Sequence, residues 1–235
     1  MMAPLLAIDT STGHATVAVA MSAEPRPGDI HSRRWHARHN HGVELVTAIE
    51  ETLTEAGLRA TDIAAVAVAT GPGRFTALRV GLATGQGISL AQGVPMVGVP
   101  TPDIEAAPFL PDRARDLYAV TDAGSHGLAW SRYPPGTQAG GAAGEAGVSP
   151  LERLVEEAGE TAVFCGEAGA DLRSVVGDER VLSGDPPTRD PAVFVMLALE
   201  RLRRGEGGEP ESVQPVYARA PSTTTPRQPF PDVSR

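Results

Sequence analysis

The spacing of apolar and polar positions changes several times along the first hundred residues, and each change predicts a new element. Apolar runs bounded by turn residues predict five strands, at 4–10, 14–21, 30–38, 63–69 and 96–99. Apolar residues at helical spacing predict helices at 41–57 and 76–92, between the later strands. This order of elements is typical of a mixed-sheet α/β domain, which we expect to end near residue 103.

The pattern is weaker in the second half of the chain. It predicts a strand pair at 117–121 and 128–133, and then a helix, a strand and a helix at 150–158, 161–165 and 191–204. The Gly-, Ala- and Pro-rich segment 134–149 predicts a flexible loop. The last 15 residues contain four prolines and a Ser-Thr-Thr-Thr run, which predicts disorder. We therefore expect a first domain at 1–103, a smaller one at 104–220 and a disordered tail at 221–235.

The predicted helix 76–92 is apolar nearly all round and unusually rich in glycine. It follows a Gly71-Pro72-Gly73 turn and contains Gly81, Gly85 and Gly87. Each glycine costs a helix about 1 kcal/mol relative to alanine. The close approach of another backbone would offset that cost, so the pattern predicts such a contact.

Composition narrows the class of protein. Hydrophobic residues make up 41% of the chain, enough for a real core. The net charge of −9 argues against an autonomous nucleic-acid binder. The single Cys165 excludes an internal disulfide, and no apolar run approaches membrane-spanning length. We expect a cytoplasmic protein that does not contact a membrane.

Several segments resemble one bacterial family. They are Leu6-Ala7-Ile8-Asp9-Thr10-Ser11, the helix start His41-x-x-x-Leu45, the turn Gly71-Pro72-Gly73-x-Phe75-Thr76-x-Leu78-Arg79, the segment 93–99 and Pro215-Val216-Tyr217-x-Arg219. Together they are similar to the TsaB family, also called YeaZ. The resemblance implies the two-lobed α/β fold of actin, sugar kinases and Hsp70 (ASKHA), with mixed sheets flanked by helices.

The resemblance also implies a function. TsaB-like proteins are non-catalytic partners of the TsaD-like threonylcarbamoyltransferase and support threonylcarbamoyladenosine formation beside the tRNA anticodon. A companion TsaE-like ATPase belongs to the complex, and tRNA is expected to bind only through it. Pairing is implied through helices 41–57 and 76–92, and the same surface would form a homodimer when the protein is alone. The predicted interface residues are Val46, Leu53, Leu78, Gly81, Leu82 and Gly85.

Two turns are candidates for phosphate contact. Asp9, Ser11 and Thr12 occupy the position of the superfamily's phosphate-binding hairpin, but short polar side chains there also form local hydrogen bonds. We favour the local bonds, so no cofactor is expected, and weak binding of ATP or ADP with Mg²⁺ is the alternative. Gly71, Gly73 and Arg74 precede a helix and are the second candidate, although Arg74 is more simply a surface residue.

No metal site is expected. TsaD-like enzymes carry two metal-binding histidines just after the strand that corresponds to 96–99. This chain has Asp103 and Glu105 there and no histidine. His36, His39 and His41 lie close in sequence, but strand spacing separates the first two and no fourth zinc ligand is evident.

One motif departs from the family. The second lobe usually carries Asp-Ala-Arg-x-x-Glu-Val-Tyr, of which only Asp122-Ala123 is present here. A paralogous regulatory interaction protein with a different partner is therefore an alternative. A small ATP-dependent transferase or a metallopeptidase-like enzyme of the same superfamily is another.

Overall fold

The structure, a computed structural model, describes residues 4–37, 41–110, 114–167, 169–182 and 189–218. The predicted tail at 221–235, together with His39 and Arg219, lies outside these residues. Among the helices of the described ranges, none has both the length and the apolar character needed to cross a membrane.

The first lobe is built on a five-stranded mixed sheet. Its strands are β1 (Leu5–Asp9), β2 (His14–Ala20), β3 (Ile30–His36), β4 (Ala65–Ala69) and β5 (Met96–Val99), in the spatial order β3-β2-β1-β4-β5. β2 is antiparallel to β1 and β3, whereas β4 is parallel to both β1 and β5. Each of the five predicted strands is present, with ends shifted by no more than two residues.

Strand alternation gives this sheet two buried faces. Leu6 and Ile8 point towards helices α1 (His41–Glu55) and α2 (Phe75–Gln92), where Leu45 and Leu82 complete the core. Leu5 and Ala7 point to the opposite face. Because successive side chains of a strand alternate in direction, the short apolar run of β1 serves both layers.

The second lobe contains a four-stranded sheet. Strands β6 (Leu117–Asp122), β7 (Leu128–Tyr133), β8 (Glu145–Ser149) and β9 (Val163–Gly166) lie in the order β8-β7-β6-β9. Helices α4 (Leu151–Ala158) and α5 (Gly169–Val176) cover one face, and α3 (Thr101–Ala106) covers the other. This arrangement confirms a two-lobed fold with mixed sheets flanked by helices.

The second half departs from the sequence-based expectations in three ways. Segment 134–149 is not entirely loop, because β8 pairs with β7 over Glu145–Ser149. Helices α3 and α5 were not predicted. Helix α6 (Pro191–Arg203) does not belong to the second lobe, because Phe194 and Val195 pack on the free face of the first sheet. The predicted boundary at 103/104 therefore marks only where the chain first leaves the first lobe, because α6 later packs on that lobe again.

The described C-terminal segment also returns to the first lobe. Residues 210–218 cross α2, where the Gln86 side chain donates to the carbonyls of Pro210 and Val213. The Val216 N–H donates to the Thr70 carbonyl over 2.7 Å. Tyr217 stacks on Phe75, and its hydroxyl accepts a hydrogen bond from Arg79 Nε. Two motifs distant in sequence, at 71–79 and 215–217, are thus packed together.

Candidate functional site

The two turns predicted to contact phosphate lie against one another. The Arg74 N–H donates to the Ser11 carbonyl over 2.7 Å, and a Cβ at Gly73 would lie 2.1 Å from that oxygen. Gly71 has φ +95°, and its N–H donates to the Thr101 hydroxyl. The N–H groups of Gly71 and Arg74 are therefore engaged within the chain.

Asp9 is held by internal partners. Its Oδ1 accepts hydrogen bonds from the Ser11 N–H (2.9 Å) and the Ser11 hydroxyl (2.6 Å). Its Oδ2 accepts a hydrogen bond from Arg189 Nε, in an ion pair that is almost fully buried. Both carboxylate oxygens are thus engaged, partly by the predicted local bonds and partly by an arginine far along the chain.

Arg189 joins three parts of the molecule. Its Nη1 donates to Glu105 on α3 over 2.7 Å. Its Nη2 donates to the Thr12 hydroxyl over 2.6 Å and to the His14 carbonyl over 3.1 Å. With Asp9, the guanidinium has four oxygen acceptors around its plane, which matches the fixed fork of donors that arginine presents.

The electrostatics of this cluster favour a charged arginine. Burial by itself would lower the pKa of Arg189, but the carboxylates of Asp9 and Glu105 outweigh that effect and raise it. Burial raises the pKa of Glu105, against the opposing effect of Arg189. An unpaired charge would be costly at this depth, and the shared guanidinium lowers that cost for both carboxylates.

Asp103, the other carboxylate after β5, is held in a second network. The Tyr133 hydroxyl donates to its Oδ1 over 2.6 Å, and Arg201 Nη2 donates to its Oδ2 over 3.1 Å. Burial raises the pKa of Asp103, and burial together with this carboxylate raises the pKa of Tyr133. Asp103 and Glu105 are therefore each paired with an arginine of the 189–218 segment. Within the described residues, no group of three His, Cys, Asp or Glu side chains is arranged to hold a metal ion.

A cleft of about 510 Å³ separates the two lobes beside these turns. His14, His36 and Arg74 line it from the first lobe, and Asp122 and Glu167 from the second. Burial lowers the pKa of His14. Arg74 approaches Asp122 to 4.0 Å, with both side chains about half exposed. Exposed pairs of this kind contribute little to stability, so Arg74 is not fixed by that contact.

Five of the six predicted interface residues face the chain's own core. Leu53, Leu78 and Leu82 are no more than 7% exposed, and both glycines are buried. A Cβ at Gly81 would lie 2.3 Å from Thr10 Oγ1, and one at Gly85 would lie 2.5 Å from Val68 Cγ1. The close approach expected at these glycines is therefore made by side chains of the same molecule, which corrects the prediction of a second backbone.

The outer faces of α1 and α2 carry different residues. Val46, the sixth predicted interface residue, is 59% exposed, and Val43 is 77% exposed. On α2, Leu90 is 56% exposed, and a Cβ at Gly87 would meet open space. The two helices contact one another. Their outer faces thus leave apolar side chains exposed to solvent, and within the described residues nothing lies over Gly87.

Sequence reasoning missed Arg189 and the pairing role of Glu105. An isolated arginine in a Pro-rich stretch carries no motif, and its partners lie 84 and 180 residues away in sequence. The sequence offered one signal, the two carboxylates of Asp103 and Glu105 just after β5. Acidic residues that become buried there require partners of opposite charge.

Comparison with known proteins agrees with this architecture. The sequence model of the family TsaD, tRNA N6-adenosine threonylcarbamoyltransferase, matches residues 34–170. The chain is 28% identical to the tRNA threonylcarbamoyladenosine biosynthesis protein TsaB of Escherichia coli, over 92% of this chain and 94% of that protein. It is 36% identical to the Anaeromyxobacter dehalogenans threonylcarbamoyltransferase over 110 residues, which span only a third of that enzyme.

A solved structure from Pseudomonas aeruginosa, of an uncharacterized protein described as similar to peptidase YeaZ, superposes with a TM-score of 0.72. It is 28% identical and covers 92% of this chain and 99% of its own. Because the family model spans more than half of the chain, the chain belongs to the TsaD family of tRNA N6-adenosine threonylcarbamoyltransferases, and its similarity at full length is to TsaB.

Proposed function

We propose that this chain is a non-catalytic partner of a TsaD-like threonylcarbamoyltransferase and supports threonylcarbamoyladenosine formation in tRNA next to the anticodon. The observation that carries the proposal is that partners within the chain bond both carboxylate oxygens of Asp9. Its carboxylate is bonded to Ser11 and forms a buried ion pair with Arg189, and this internal positive charge disfavours a catalytic cation at the same place. The full-length similarity to E. coli TsaB, rather than to the longer transferases, supports the same role.

The alternative enzymes require chemistry at the same turn or a metal cluster elsewhere. An ATP-dependent transferase would need the Asp9 turn to accept Mg²⁺ and phosphate, but the guanidinium of Arg189 stands there instead. A metallopeptidase needs protein ligands for a metal, and the described residues group none. We therefore assign no catalytic residue or cofactor to this chain.

The partner surface is proposed to be the outer face of α1 and α2. Val43 and Val46 on α1, with Phe75 and Leu90 on α2, are the large exposed apolar side chains of these helices, and Gly87 lies open on α2. Exposed apolar side chains on adjacent helices favour burial against another protein. The same face would serve a homodimer when the transferase subunit is absent. We propose that tRNA joins only through the complex, since a net charge of −9 disfavours direct binding of a polyanion. We propose that a TsaE-like ATPase belongs to the same complex.

An interface variant tests this surface. Val46→Glu places a charge on this face without disturbing the core, because the side chain is 59% exposed. We expect the affinity for the TsaD-like subunit to fall about tenfold or more, as when a well-packed apolar contact of an interface is lost. The measurement is co-elution, followed by titration calorimetry, with the TsaD-like protein of the same genome.

Met196→Glu is the matched control. Met196 is 48% exposed on α6, which covers the opposite face of the first sheet. It should leave co-elution unchanged. Equal affinities for the two variants would contradict the proposed surface.

A further inference from the structure

The Arg189 guanidinium fills a closed site made of oxygen acceptors. The acceptors are Asp9 Oδ2, Glu105 Oε1, Thr12 Oγ1 and the His14 carbonyl. Arg189 is 4% exposed, and the three side chains that receive its hydrogen bonds are 5% exposed or less. The site is therefore cut off from the neighbouring cleft by burial.

The acceptor set is that of a cation site. Two carboxylates, a hydroxyl and a backbone carbonyl are the oxygen ligands that hard cations take in proteins. The fold would offer Asp9 to a magnesium ion bound with a nucleotide, but such an ion does not fit the residues present. Arg189 already supplies the positive charge, and the remaining oxygen of Asp9 is bonded to Ser11.

We propose that Arg189 is the internal ligand of this site. Its guanidinium takes the place of an exogenous cation, so that the turn after β1 does not bind such a cation. The arginine immediately precedes α6, whose Asp190 cap and Pro191 start fix the helix beginning beside it. The filled site thereby ties the start of α6 to the turn after β1 and to α3.

The proposal predicts a latent guanidinium site. Removing the side chain in Arg189→Ala leaves two buried carboxylates without their counter-charge and a cavity shaped for the lost group. The melting temperature should fall by on the order of 10 °C, as expected when one partner of a buried ion cluster is removed. Free guanidinium ion should then bind in the vacated position and restore part of the loss.

The experiment is a thermal-shift titration of Arg189→Ala with guanidinium chloride at millimolar concentrations, well below the denaturing range. Sodium chloride at equal ionic strength is the reference. We expect the melting temperature of the variant to rise by about 3 °C or more once guanidinium exceeds its dissociation constant about tenfold. Wild type should show no rise, because its site is filled.

Arg203→Ala is the matched control. Arg203 lies on the same helix, but it is partly exposed and bonds the Ala23 carbonyl and Glu200. Guanidinium should not stabilise this variant. A rise in Arg189→Ala no larger than in wild type or in Arg203→Ala would overturn the proposal.

A second readout covers the case in which Arg189→Ala does not fold in plain buffer. The variant is then refolded from urea with guanidinium chloride or with sodium chloride, and the recovered fold is followed by circular dichroism. Greater recovery with guanidinium supports the internal-ligand role. Equal or absent recovery in both salts counts against it.

Discussion

At the scale of single residues, Thr10 explains why α2 contains a glycine in its middle. The Thr10 hydroxyl donates to the Ala77 carbonyl over 2.6 Å and accepts from the Gly81 N–H over 3.1 Å. These two backbone groups are four residues apart, the spacing that pairs directly in an uninterrupted helix. The hydroxyl contacts both groups, and only glycine leaves room for it, because a Cβ at position 81 would lie 2.3 Å from Thr10 Oγ1.

The glycines of α2 should therefore respond differently to alanine. Gly85→Ala places a Cβ 2.5 Å from Val68 Cγ1, inside the core, whereas Gly87→Ala places one in open space. Overpacking should lower the free energy of unfolding of Gly85→Ala by about 1–3 kcal/mol. Gly87→Ala should raise it by up to about 1 kcal/mol, through helix propensity.

Urea denaturation of the two variants measures both changes, and each glycine serves as the control for the other. Similar stability changes in the two variants would contradict the packing described for α2. Gly85 packs in the core, whereas Gly87 lies on the proposed partner face, so the two variants change different sides of α2.

At the scale of elements, the junction between the lobes is held by buried polar groups. Asp103 on α3, Tyr133 on β7 and Arg201 on α6 form one network, and Glu105 and Arg189 form part of the other. Each network links α3 to the segment that returns to the first lobe. Such fully paired groups fix the relative positions of elements, whereas losing one partner leaves another group buried and unsatisfied.

The raised pKa of Asp103 predicts a pH dependence. Burial raises this pKa above the ordinary value of 3.8, so the folded protein keeps the proton to higher pH than the unfolded chain does. The folded state then binds more protons between the two pKa values, and this contribution to stability is lost as the pH rises. Asp103→Asn has no such proton to lose.

The unfolding free energy of Asp103→Asn relative to wild type should therefore increase as the pH is raised from below 3.8 towards neutrality. Urea unfolding of both proteins across this range gives the difference directly. A difference that stays constant or falls with pH would show that burial does not govern the ionisation of Asp103.

The elements differ in how much of them could be predicted from the sequence. The β1 strand and the α2 helix were predictable because apolar spacing and the Gly71–Gly73 turn are local signals. β8 was not, because its Gly- and Ala-containing sequence lacks strand propensity and forms by pairing with β7. Arg189 could not be foreseen, since its role depends on partners that tertiary folding alone brings near.

At the scale of the whole molecule, the chain leaves the first lobe after β5, builds the second sheet and returns as α6 and the segment 210–218. The return segment contributes Arg189 to the turn after β1 and Tyr217 to the start of α2. The cation position of the first lobe is thus filled from within, and the outer face of α1 and α2 is left exposed. This distribution supports the proposed role as a partner subunit.

Reconstitution tests the proposed function most directly. The TsaD-like protein, the TsaE-like ATPase and the adenylate-forming enzyme of the same genome are combined with tRNA, and threonylcarbamoylation is measured with and without this chain. We predict that modification depends on wild type and Met196→Glu and is strongly reduced with Val46→Glu. Modification at the same rate without this chain, together with no co-elution, would contradict the partner role and point to a different binding partner.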